Sequence, residues 1–176
     1  MNKLFIPTFH AKSVYDIDLD KLALLNADTL FLDLDNTLDS YKTKTPSVKA
    51  VELVRKLELA GYRIIIVSNN TGNRVKQYAS ALGVEYIPSI GKPFKKKILA
   101  NIERLSLDKN KIIMIGDQTV TDIQAANRSG LTSILTDKIV KEDQPTTHFN
   151  RLFDRPIRRS LRRKNLLKEI NSYGGN

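Results

Sequence analysis

Five apolar runs rich in β-branched residues alternate with stretches of helical spacing, and this alternation constrains the fold more than any other feature of the chain. The runs are TLFLDL (29–34), RIIIVS (63–68), VEYIP (84–88), KIIMIG (111–116) and LTSIL (131–135). The central ones are continuously apolar, as parallel strands covered on both faces require. Between them, PSVKAVELVRKLELAGY sets Val48, Val51, Val54 and Leu57 at helical spacing and stops at Gly61. NRVKQYASALGV stops at Gly83, PFKKKILANIERLSL opens at Pro93, and TDIQAANRSGL ends at Gly130. Proline at a helix start and glycine just past its end are the expected punctuation. The pattern predicts an α/β domain with a mostly parallel five-stranded sheet and helices on both faces.

The 176 residues suffice for one core without covalent staples, and 1–150 is taken as that domain. The chain has no cysteine, which excludes disulfides, thiolate nucleophiles and sulfur-ligated metals. Its two histidines, His10 and His148, are far apart and show no metal-ligand spacing. Chemistry is left to carboxylates, hydroxyls and amines.

In open parallel sheets, ligands bind beyond the carboxyl ends of the strands. The first run ends in Asp33 and Asp35, the second in Ser68-Asn69-Asn70, and the fourth in Gly116-Asp117; Lys92 follows the third. A carboxylate fixed at a strand end can attack an electrophile, and a second one two residues on can move protons. The same pair offers hard oxygen ligands for Mg²⁺. Asp-Asn-Thr is also good turn chemistry, but a plain turn does not need Asp33 against an apolar run. Ser68 can hold a phosphate oxygen beside a helix start, or merely cap that helix. Lys92 can offset phosphate and carboxylate charge, or be a surface lysine like Lys95, Lys96 and Lys97. Asp117 can ligate a metal. Asp122 can orient the metal or pair with the lysine, or complement a helix dipole. Together these groups fit phosphoryl transfer, with Asp33 attacking and Asp35 exchanging protons with the leaving oxygen and then with water.

The motif set Asp-x-Asp-x-Thr, Ser, Lys and Gly-Asp-x(4)-Thr-Asp resembles that of haloacid dehalogenase (HAD) superfamily phosphatases. The resemblance implies a Rossmann-like HAD fold and an aspartyl-phosphate mechanism. It places the nucleophile at Asp33, the acid/base at Asp35 and phosphate binding at Ser68 and Lys92, with Asn69 as a further contact. It places Mg²⁺ on Asp33, the Asp35 carbonyl and Asp117, with Asp122 behind them. LFIPTFHAKSVYDIDLDKL, GKPFKKKI, MIGDQTVTDIQAANRSG and HFNRLFDRPIRR are similar to subfamily IIIA phosphatases of the YqeG type. That group is in turn similar to mitochondrial phosphatidylglycerophosphatases, which implies a phosphatidylglycerophosphate-like lipid as substrate. Asp39-Ser40-Tyr41 departs from the apolar or aromatic residue expected early in that loop. Only 33 residues separate Asp35 from Ser68 and 24 separate Ser68 from Lys92, which leaves no room for a cap domain. An open site favours a large or surface-bound substrate, or a second copy of the chain as lid.

Residues 151–168 carry eight basic residues and one acidic one, so most of the net charge of +10 lies there. The segment 151–176 is read as a basic helical extension, packed on or continuous with the domain. Its arginines around Leu161, Leu166, Leu167 and Ile170 suit either an anionic membrane surface or a docked edge helix with a solvated basic face. Without interleaved aromatics, nucleic acid is the weaker partner, although an RNA- or ribosome-associated binding module is the alternative function. A phospho-accepting receiver domain is disfavoured because Asp-x-Asp-x-Thr follows the first strand, not a later one. No apolar run reaches the ~20 residues of a membrane span, and a cytoplasmic protein, peripheral at a membrane, is expected.

Overall fold

The computed structural model describes residues 2–140 and 148–174. Six parallel strands form one sheet: β1 (Phe9–Ala11), β2 (Thr29–Leu32), β3 (Arg63–Val67), β4 (Glu85–Ile87), β5 (Ile112–Gly116) and β6 (Thr132–Thr136). Their order is β1-β6-β5-β2-β3-β4. The expected sheet had five strands, and the additional one is β1. It is a three-residue edge strand centred on a histidine, too short and too polar to stand out as an apolar run.

The helices are α1 (Leu19–Ala23), α2 (Val48–Leu59), α3 (Asn73–Leu82), α4 (Lys96–Arg104), α5 (Gln124–Ser129) and α6 (His148–Arg163). α2 starts where the sequence indicates, with the Ser47 hydroxyl accepting from Ala50 N at 3.2 Å. α4 begins three residues after Pro93, because Phe94 N turns back onto Gly91 O at 2.9 Å. α3 and α5 end in left-handed glycines, Gly83 and Gly130, as C-terminal caps require.

Side chains along each central strand alternate between two cores. Leu30, Leu32, Ile64, Ile66, Ile113 and Ile115 meet α1, α2 and α3 on one face. Phe31, Ile65, Val67, Ile112 and Met114 meet α4 and α5 on the other. This double burial is why the runs are apolar without a break. The intervals Asp35–Ser68 and Ser68–Lys92 hold a loop, α2, β3, α3 and β4, with no inserted domain.

The chain steps outward from β2 through β3 to β4, then returns to the other side of β2 with β5 and β6. The direction of winding therefore switches between β2 and β5, and a crevice opens at their carboxyl ends. Sheet pairing continues one residue past the strands there. Asp33 N donates to Ile115 O at 2.9 Å and Ser68 N to Ile87 O at 3.1 Å. Side chains at the rim thus inherit the rigidity of the sheet.

Candidate active site

Asp33 occupies the centre of this rim and is 7% exposed. Its Oδ1 lies 2.5 Å from Lys92 Nζ, and its Oδ2 accepts from Thr37 Oγ1 at 3.3 Å. The Lys92 ammonium also reaches Asp122 Oδ1 at 2.7 Å and donates to Val67 O at 3.0 Å. Lys92 is therefore a site residue, buried between two carboxylates. Burial alone would lower its pKa, but Asp122 and Asp33 outweigh it and hold the amine well above its ordinary value. Burial pushes Asp33 well above the usual carboxylate range. Lys92 opposes that push, while Asp122, Asp117 and Asp35 add to it.

Asp117 is fully buried one residue beyond β5. Ligand oxygens of Asp33, Asp117 and Asp122 all lie within 4.8 Å of one another. Three buried carboxylates against one ammonium leave an excess of negative charge that a low-dielectric site penalises. A divalent cation offsets that excess, and an all-oxygen donor set suits Mg²⁺ rather than a softer metal. The residues therefore fit the metal that the resemblance implies. Asp122 also accepts from Gln118 N through Oδ2 at 2.9 Å, so both its oxygens are engaged by the protein. Gly116 permits this approach: a Cβ there would lie 2.6 Å from Asp122 Oδ2.

Asp35 lies apart from the three-carboxylate cluster. Its Oδ2 accepts from Asn70 Nδ2 at 2.6 Å, and its Oδ1 is 2.7 Å from Arg74 Nη1. The turn that carries it is made by Asn36, whose φ of 66° asparagine tolerates better than most residues. Asn36 N donates to Asp39 O at 2.7 Å. Asp39 itself is a brace, its Oδ2 accepting from Ser47 N at 2.9 Å and from the Tyr78 hydroxyl at 2.6 Å. Burial first, and the Asp39 carboxylate second, raise the Tyr78 pKa.

Ser68 is buried with its hydroxyl accepting from Asn70 N at 3.1 Å. It caps no helix, since α3 has Gly72 at its N-cap and no side-chain cap. The Asn69 side chain clamps the Lys92 backbone at both ends, with Nδ2 donating to Lys92 O at 2.8 Å and Oδ1 accepting from Lys92 N at 2.7 Å. The expected site residues Asp33, Asp35, Ser68, Lys92, Asp117 and Asp122 all gather on the rim, with Asn69 holding the lysine.

The sequence reading missed Asn70 and Arg74. Asn70 stood in the strand end Ser68-Asn69-Asn70; Arg74 had no local signal beyond its place in the first turn of the helix after a strand end. Arg74 also donates to Thr43 O at 3.1 Å and Ser40 O at 3.3 Å, tying the loop after Asp39 to Asp35.

The sequence profile of haloacid dehalogenase-like hydrolases matches residues 20–130. The chain belongs to the haloacid dehalogenase-like hydrolase family. It is 32% identical over 164 residues to "Probable phosphatase YqeG" of Bacillus subtilis strain 168, covering 93% of this chain and 95% of that one. Among solved structures, an uncharacterized protein from Listeria monocytogenes serotype 4b is similar with a TM-score of 0.54 and 19% identity. That match covers 66% of this chain and 84% of the other. A hypothetical protein from Xanthomonas campestris gives a TM-score of 0.52 at 18% identity, covering 70% and 73%. At these identities the two structures speak for the HAD fold alone.

Proposed function

We propose that this hydrolase is a Mg²⁺-dependent phosphomonoesterase that forms a phospho-aspartate on Asp33. That it is a phosphatase rests on its family and its Bacillus relative. The finer reading rests on one observation: a strand-end carboxylate held at 2.5 Å by a buried lysine, within 4.8 Å of two further carboxylates. A bound Mg²⁺, held by Asp33 and Asp117 and the Asp35 carbonyl with Asp122 behind them, supplies the positive charge that lets an anionic nucleophile meet an anionic phosphate. Lys92 adds a fixed positive charge 2.5 Å from the Asp33 carboxylate. The Asp33 oxygen attacks phosphorus as the ester P–O bond breaks, and Asp35 gives its proton to the departing oxygen. Asp35 then takes a proton from water, which attacks the phospho-aspartate and releases phosphate. Ser68 and Asn69, beside Lys92, serve the phosphate end of the substrate.

Hydrolysis of p-nitrophenyl phosphate by wild type and Asp33→Asn, with and without Mg²⁺, tests the reading. The substitution is expected to cost on the order of 10³-fold or more. A folded Asp33→Asn protein with retained turnover, or wild-type turnover indifferent to Mg²⁺, sinks it.

A second observation favours a phospholipid phosphate as substrate. The outer face of α6 exposes Leu152 (68%) and Phe153 (53%) beside Arg155, Arg159, Arg162 and Arg163. Apolar side chains within a basic face suit an anionic lipid surface, where each basic residue adds about 1 kcal/mol. Among the described residues no helix is long and apolar enough to cross a membrane. Cosedimentation with phosphatidylglycerol vesicles, lost in Leu152→Ser/Phe153→Ser, is the expected result. Tight, salt-sensitive RNA binding without vesicle binding would replace lipid by nucleic acid.

A further inference from the structure

α6 has an inner face that neither the motifs nor the basic charge of the segment explain. Asp154 is 1% exposed, the only acidic residue in a strongly basic stretch. Its Oδ1 accepts from both Thr119 N at 2.6 Å and Thr119 Oγ1 at 2.5 Å. Its Oδ2 accepts from Arg158 Nε at 2.9 Å, one helical turn on. The same guanidinium donates through Nη2 to Asp117 O at 2.6 Å and Thr136 O at 2.7 Å, and through Nη1 to Asp137 Oδ1 at 2.8 Å. Leu161, fully buried, seats the next turn of the helix.

Three of these bonds converge on the stretch 117–119. The carbonyl of Asp117 and the N–H of Thr119 lie just after β5, where sheet pairing has ended and the turn into Thr119–Ile123 begins. A backbone that carries a metal-ligating carboxylate needs its direction fixed, or the ligand loses its aim. Here the direction is fixed from behind, by a helix that begins about 30 residues later in the chain. A buried aspartate and arginine are costly to place unless they satisfy one another and other polar groups. This pair does both, and the polar groups are the backbone of the carboxylate loop.

We propose that Asp154 and Arg158 are positioning residues of the divalent-metal centre, fixing the Asp117 carboxylate through the 117–119 backbone, so that α6 is an integral part of the site. The inference rests on the metal reading above. The fork geometry of arginine matters to it, because a lysine at 158 cannot reach two carbonyls and two carboxylates at once.

The test is direct Mg²⁺ binding to the full chain by calorimetry, with the Mg²⁺ dependence of p-nitrophenyl phosphate hydrolysis and the thermal midpoint measured on the same samples. Arg158→Lys and Asp154→Asn are each expected to weaken Mg²⁺ binding about 10- to 100-fold. Turnover should recover substantially at saturating Mg²⁺. Arg159→Ala, on the exposed face of the same helix, is expected to bind Mg²⁺ like wild type. Folded variants that lose thermal stability while binding Mg²⁺ within twofold of wild type would reduce the pair to a structural clasp and overturn the inference. Should Asp154→Asn fail to fold, Arg158→Lys, which keeps the positive charge, decides alone. A wild-type protein that binds no divalent cation overturns the metal reading itself, and a wild type that binds Mg²⁺ without hydrolysing any phosphate overturns only the phosphatase chemistry.

Discussion

Two aspartates on the same rim are each held by an arginine from a helix, and they are held in different ways. Arg74, from α3, meets the side chain of Asp35 at 2.7 Å. Arg158, from α6, meets the main-chain carbonyl of Asp117 at 2.6 Å and does not take its carboxylate. A grip on the side chain acts on the reacting group itself; a grip on the backbone sets where a ligand points and leaves its chemistry to the site. In the proposed mechanism the β2–β3 half of the rim serves proton transfer and the β5–β6 half fixes ligand geometry. Substitutions in the two halves should therefore fail in different observables.

Asp35→Asn breaks the first half most severely. An amide cannot give or take the proton, so turnover of an alkyl phosphate such as glycerol phosphate should fall about 10²- to 10⁴-fold. Mg²⁺ affinity measured by calorimetry should change little, because in the proposed site Asp35 would offer only its carbonyl to the metal. A large loss of Mg²⁺ affinity would show that the two halves are not separable. Gly116→Ala is the counterpart in the second half. The added Cβ would fall 2.6 Å from Asp122 Oδ2, so the carboxylate must leave Lys92 and Gln118 N. The expected outcome is a loss of about 10- to 100-fold in Mg²⁺ affinity, checked by titration of a folded variant.

Arg74→Lys sharpens the comparison more gently. It keeps the charge beside Asp35 but loses the bonds to Ser40 O and Thr43 O that anchor the loop. A drop of roughly tenfold or less in kcat is expected, with Mg²⁺ affinity unchanged. If Arg74→Lys and Arg158→Lys both act on Mg²⁺ binding alone, the distinction between side-chain and main-chain grip is wrong.

The two halves also differ in how they were written in the sequence. Asp33, Ser68, Lys92 and Asp117 each follow an apolar run, so a local pattern of strand then polar residue exposes them. The aspartates lie where the resemblance puts the chemistry because β2 and β5 are neighbours at the switch point. β1 stayed hidden because an edge strand of three residues carries almost no periodicity. Arg158 stayed hidden for another reason: it meets Asp117 across 41 residues of chain, from within a run of arginines that reads as a solvated face. Asp154 was the available signal, a single acid four residues before that arginine among many bases. Asp39, in the loop that departs from the family pattern, spends its carboxylate on Ser47 and Tyr78, a role no local pattern announces. Which helix docks behind which loop is a tertiary fact, and no short window of sequence contains it.

The smallest expected effect concerns a histidine on the α6 side. His10, buried in β1, has Nδ1 2.6 Å from Glu169 Oε1 and Nε2 3.4 Å from Asp137 Oδ1. Burial pulls its pKa down, but the hydrogen bonds and charges of Asp137 and Glu169 outweigh that and hold it above the ordinary 6.5. A base with a raised folded value stabilises the fold fully below its unfolded value of 6.5, and that contribution is lost as pH rises through the folded value. Asp137 is shared with Arg158, so neutral His10 leaves the arginine as the main cation on that carboxylate. The thermal midpoint of wild type should therefore fall by a few degrees as pH is raised from about 6 to 8.5. His10→Gln should flatten that profile and leave the kcat of the metal-saturated enzyme unchanged. A His10→Gln profile as steep as wild type would place the titrating group elsewhere and detach β1 from the α6 network.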